Sequence, residues 1–161
     1  FMSLLLLGWA VGAPFSGWLS DYIGRRKPIL VTGLVVICIM LAFVTGISDL
    51  PLVAVVTCLV VIGLSGGGMT ACFGLVKDVM PAPLAGASTG VVNSMTVASG
   101  AILQPFVGLA LDLQWDGRLV DGARHYAEGD YRTAFTLVLV AAVIGLVTAL
   151  SLRETPRGHV P

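Results

Sequence analysis

Charge is scarce here. Asp, Glu, Lys and Arg make up 11% of the 161 residues, against about 25% in a typical soluble domain. Hydrophobic residues reach 57%, and the mean hydropathy is +0.96. A water-soluble domain of this size must coat its surface with polar groups, so the shortage excludes one. Nine bases balance nine acids, which leaves no basic face for nucleic acid and no acidic run for a cationic partner. Cysteine is equally thin. Cys38, Cys58 and Cys72 lie scattered in apolar runs with no His or carboxylate beside them. That argues against a disulfide framework and a metal site, and leaves them as small hydrophobes.

A second absence is positional. The stretches 1–20, 28–47, 52–76, 84–111 and 133–152 contain no Asp, Glu, Lys, Arg or His. Each meets the roughly 20 apolar residues that a membrane-crossing helix needs. Barrel strands would alternate polar and apolar positions, and these runs do not. Helices satisfy their own backbone groups, as lipid demands. The expectation is therefore an all-α, polytopic integral membrane protein, with five transmembrane helices within 1–152 and a tail over 153–161. Without ionisable groups in the spans there is no catalytic set, and no Gly-x-x-x-x-Gly-Lys loop supports ATP use. No enzyme activity, cofactor or metal is expected. A proton relay would need ionisable residues inside the membrane, so any such group lies in another part of a longer protein.

The few charges that exist orient the bundle. Arg25, Arg26, Lys27, Lys77, Arg153 and Arg157 fall on one side. Arg118, Arg124 and Arg132 fall on the other, diluted by Asp112, Asp116, Asp121, Glu128 and Asp130. Excess base marks the cytoplasmic side, which places the tail inside. The run Leu4-Leu5-Leu6-Leu7 followed by small residues imitates a signal peptide, but no basic stretch precedes it. The initial Phe1 and the odd number of spans point instead to the later part of a longer protein.

The most specific segment is the loop Gly17-Trp18-Leu19-Ser20-Asp21-Tyr22-Ile23-Gly24-Arg25-Arg26-Lys27, set between two apolar spans. Gly17 allows a close helix approach, and Gly24 permits a backbone turn that side chains would strain. Asp21 can face the positive end of a helix, and Pro28 suits the first turn of the next span. In this setting the loop resembles the signature of the major facilitator superfamily, Gly-x-Leu-(Ala/Ser)-Asp-(basic)-x-Gly-Arg-(basic)-(basic). Gly17, Leu19, Ser20, Asp21, Gly24, Arg25, Arg26 and Lys27 match, and Tyr22 departs where a base is common.

The resemblance implies a twelve-helix permease working as a symporter, antiporter or facilitator by alternating access, with this chain as helices eight to twelve. It implies a conformational gate in which Asp21 latches one half of the carrier to the other. It also implies that Arg25 bonds a carboxylate at the end of the helix two further on, here Asp78. The partners it implies are a small-molecule solute, the lipid bilayer of a prokaryotic cytoplasmic (inner) membrane, and a missing N-terminal half. A transporter-like sensor that binds without carrying would share the fold.

Within the third span Gly63, Gly67, Ala71 and Gly74 share a helical face, and in the fourth Gly86, Gly90, Asn93, Gly100, Gln104 and Gly108 do so. Such stripes serve close helix packing or line a watery path. Asn93 and Gln104 are the candidates for substrate contact, since buried amides need partners. Pro14 and Pro105 offer flex points within their helices.

Overall fold

The computed structural model describes residues 2–120 and 122–153. The chain forms α1 (Met2–Ile23), α2 (Lys27–Gly46), α3 (Leu52–Gly66), α4 (Thr70–Val79), α5 (Ala85–Gln114) and α6 (Glu128–Ser151). A 3-10 turn over Gly67–Met69 joins α3 to α4, and another over Ala82–Leu84 leads into α5. Five helical stretches are long and apolar enough to cross a membrane, α3 and α4 together making one of them. The architecture is a helical bundle of the membrane type.

Local chemistry sets the ends. Gly24, at φ 72°, turns the chain out of α1, and its N–H still reaches the Ser20 carbonyl at 3.1 Å. A residue with a Cβ would be strained there. Pro28 sits in the first turn of α2, where its missing N–H goes unnoticed. Asp130 accepts a hydrogen bond from the Ala127 N–H at 2.8 Å, a carboxylate at the positive end of α6.

Two regions depart from the sequence reading. The third span was expected as one helix over 52–76; its path changes to a 3-10 turn at Gly67–Met69 and then continues to Val79. Consecutive glycines at 66–68 explain the tightening, because they carry no side chain to hold the wider α geometry. The stretch 112–132 was read as a plain loop. It instead extends α5 to Gln114, pairs β1 (Leu119–Val120) with β2 (Ala123–Arg124) antiparallel, and begins α6 at Glu128. Beyond Arg153, the expected tail lies outside the described residues, as does Asp121.

Packing is uneven. α1 lies closely along α3, and α2 lies between α3 and α6, while α5 touches α6 and α4. Leu30, Ala71 and Ala149 form a small core with Val31, Leu34, Cys72 and Leu75 against it. No residue of α5 is buried.

Candidate functional site

The site begins as a seam of small residues. Along α1 the buried positions are Gly8, Gly12, Ser16 and Ser20, one every fourth residue. They face Gly63, Gly67 and the residues beyond on α3 and α4. A Cβ on Gly67 would strike the Gly12–Ala13 backbone, and one on Gly63 would strike the Leu5 carbonyl. Small residues on both sides let two backbones approach this closely, which is how membrane helices gain dispersion contact. Gly17, expected to make such an approach, faces open space, with no described atom within 4 Å of an added Cβ. The close contact belongs to the face one step away.

At its charged end the seam is closed by Arg26. This residue caps α2 and lays its guanidinium over Gly74, where a Cβ would collide with it. Its Nε donates to Asp78 Oδ2 at 2.6 Å, and Nη1 donates to Ser20 Oγ at 3.4 Å. Nη1 also lies 3.6 Å from the Asp21 carboxylate. The Arg26 side chain is 16% exposed and that of Asp78 31%. One guanidinium thus ties α1, α2 and α4 together.

Arg26 bonds Asp78, the carboxylate expected to pair with Arg25, which is itself exposed. A charge-assisted hydrogen bond at such a half-buried place contributes about 1–2 kcal/mol, more than a fully exposed pair. Asp21, 64% exposed, stands at the rim of the site with most of its surface open.

Neighbouring ties hold α2 to α6. Lys27 Nζ donates to the carbonyls of Leu150 at 2.7 Å and Leu152 at 2.6 Å, a cation at the negative end of a helix. At the opposite end Arg132 Nε donates to the Thr45 carbonyl at 3.0 Å, and Nη1 donates to Ser48 Oγ at 2.6 Å. Each helix of this antiparallel pair therefore carries an early cation that caps the other's last carbonyls. Sequence reasoning missed both ties, because a backbone carbonyl has no signature in the sequence.

The substrate-path candidates lie elsewhere. Asn93 and Gln104 are exposed on α5, and neither amide makes a hydrogen bond within the described residues. Gly86, Gly90, Gly100 and Gly108 have no described atom within 4 Å of an added Cβ. The structure does not bring this stripe to the Arg26 cluster. Beyond α5, a further cluster holds its end: Asp112 Oδ1 accepts from Arg124 Nη1 and from the Tyr126 hydroxyl, each at 2.6 Å. Arg124 also lies 4.7 Å from the centre of the Trp115 ring.

A family model described as Major Facilitator Superfamily matches residues 1–161. The chain belongs to that superfamily. It is therefore a membrane-embedded member of a family of solute transporters. It is 27% identical over 157 residues to "Inositol transporter 4" of Arabidopsis thaliana, covering 97% of this chain and 24% of that protein. It is 26% identical over 157 residues to "Probable inositol transporter 3" of the same plant, again covering 97% and 24%. The chain thus spans about a quarter of the length of the curated relatives it matches. No solved structure matches it.

Proposed function

We propose that this superfamily chain supplies helices eight to twelve of a twelve-helix carrier that moves a small polyhydroxylated solute by alternating access. The solute class is suggested by the relatives named as inositol transporters. A polyol offers many hydroxyls and no charge, which suits spans whose polar groups are amides and hydroxyls rather than ions. The open stripe of α5, with Asn93 and Gln104, would form one wall of the solute path, and the rest of the carrier the other.

The observation that carries this reading is the Arg26 cluster. Rocking of carrier halves needs a rigid bundle with charges at its rim that can be engaged and released. Arg26 locks α1, α2 and α4 into one body through Ser20 and Asp78, and leaves Asp21 outermost. In this reading Gly17, Asp21, Gly24, Arg25, Arg26 and Asp78 form the conformational gate, with its basic loop at the cytoplasmic face.

Counterflow of labelled inositol in proteoliposomes of the complete carrier tests it. Asp78→Asn keeps the shape but loses the ion pair, a loss of about 1–3 kcal/mol. Such a loss is expected to slow exchange about tenfold while the protein still inserts. Unchanged exchange in that variant would remove the gate. Absence of inositol counterflow in the unmodified carrier would remove the solute.

A further inference from the structure

We propose that the cavity between the end of α2 and the start of α6 binds the phosphodiester headgroup of a membrane phospholipid, with Arg132 as the ligand. The cavity, about 430 Å³, is lined by Thr45, Gly129, Arg132, Thr133, Thr136 and Leu137. Arg132 is fixed there by its bonds to Thr45 and Ser48. Its Nη2 makes no hydrogen bond among the described residues, so its two N–H donors remain. A guanidinium held in place this way can donate a charge-assisted bond to a phosphate oxygen.

The other polar groups agree. The hydroxyls of Thr45, Thr133 and Thr136 donate back to the carbonyls of Leu41, Gly129 and Arg132, leaving their oxygens to accept bonds from a headgroup. Glu128, one turn before Arg132, accepts from the Asp49 N–H at 3.2 Å and is not part of the lining.

The cavity also stands at the head of an apolar track. Leu137, Val140, Ile144 and Val147 are 39%, 52%, 62% and 58% exposed, and their spacing of three and four puts them on one face of α6. Tyr131, 44% exposed, lies beside Arg132 and marks the depth of the headgroup layer, where aromatic side chains gather. A polar cavity above an apolar stripe fits an amphiphile. A fixed guanidinium between two transmembrane helices offers a phosphodiester strong charge-assisted donors. A free phosphate would match the upper half alone.

The test is native mass spectrometry of the complete carrier, released from detergent with phosphatidylglycerol, with diacylglycerol, or with inorganic phosphate as competitor. Retention of phosphatidylglycerol is expected, with no retention of diacylglycerol and no displacement by equimolar phosphate. Arg132→Gln should lower the bound fraction about tenfold, the worth of a charge-assisted bond. Because Arg132 also holds α2, Thr136→Phe provides the second variant; its ring would fill the cavity and leave those bonds intact. The same loss is expected from it. Equal phosphatidylglycerol retention by Thr136→Phe and the unmodified carrier overturns the proposal. So does equal retention of diacylglycerol, or displacement by phosphate.

Discussion

The α3–α4 span and α5 carry the same kind of stripe and put it to opposite use. On the first, a Cβ on Gly63 or Gly67 would strike the α1 backbone, and one on Gly74 would meet the Arg26 guanidinium. On the second, Gly86, Gly90, Gly100 and Gly108 meet nothing within 4 Å, and no residue of the helix is buried. Small residues at helical spacing make a face flat. They do not say what comes to rest on it. What separates the two is reciprocity: α1 answers α3 with its own stripe of Gly8, Gly12, Ser16 and Ser20, so two flat faces meet. The α5 stripe has no such answer within this chain, and in our reading the rest of the carrier supplies it.

The comparison breaks most readily in the seam. Gly67→Leu would drive a branched side chain into the backbone of Gly12 and Ala13, which cannot rotate aside. Overpacking of a core typically destabilises by about 1–3 kcal/mol, and a backbone obstacle belongs at the upper end. The expected result is a large fall in the monodisperse fraction of detergent-solubilised carrier and a lower melting temperature. Gly90→Leu is the counterpart on α5. There a Cβ meets open space, so the change should stay within about 0.5 kcal/mol of the unmodified protein, as for surface substitutions generally. Equal damage from both would mean that the α5 stripe is covered as tightly in the complete carrier as the seam is here.

A smaller effect separates packing from passage on α5 itself. If Asn93 and Gln104 line the solute path, Asn93→Ala and Gln104→Ala each lose one hydrogen bond to solute, about 0.5–1.5 kcal/mol. That is about a two- to tenfold rise in the KM for inositol uptake, with folded yield unchanged. Lower yield at constant KM would instead assign the amides to helix packing. The same pair of readouts cannot be confused, since one follows solute concentration and the other does not.

Much of this fold was legible because membranes impose a crude rule. Runs without charge must cross as helices, and residues such as Arg25, Arg26 and Lys27 mark where they stop. The 3-10 turn was written in the glycines at 66–68, although their spacing was read as a packing face. The seam partner on α1 was also there to be found, at steps of four from Gly8 to Ser20, but the loop drew attention to Gly17, whose side faces space. That Arg26 reaches Asp78 and Ser20 was not legible, because those contacts depend on torsion angles after Gly24 rather than on composition. Least legible were the ties of Lys27 to Leu150 and of Arg132 to Thr45, whose acceptors are main-chain atoms far away in sequence.

The smallest effect concerns what holds α5 in place of a seam. At its charged end the helix is gripped by side chains: Asp112 accepts from Arg124 and Tyr126. Donation to the Asp112 carboxylate holds the Tyr126 proton and pushes the phenol above its ordinary value of about 10, with burial adding to the rise and Arg124 opposing it. A group whose folded pKa is raised stabilises fully below the unfolded value and loses that contribution as pH climbs through the folded one. The grip on α5 should therefore be intact at neutral pH and loosen only in strong alkali, above pH about 10. Phenolate absorbance, taken as a difference against Tyr126→Phe, should show Tyr126 ionising later than an ordinary tyrosine. Asp112→Asn should bring it back towards the ordinary range. An unshifted titration in the unmodified carrier would mean that this end of α5 is held by something other than its hydrogen bonds. The contrast with the seam, whose buried α1 face is Gly8, Gly12, Ser16 and Ser20, would then lose its electrostatic half.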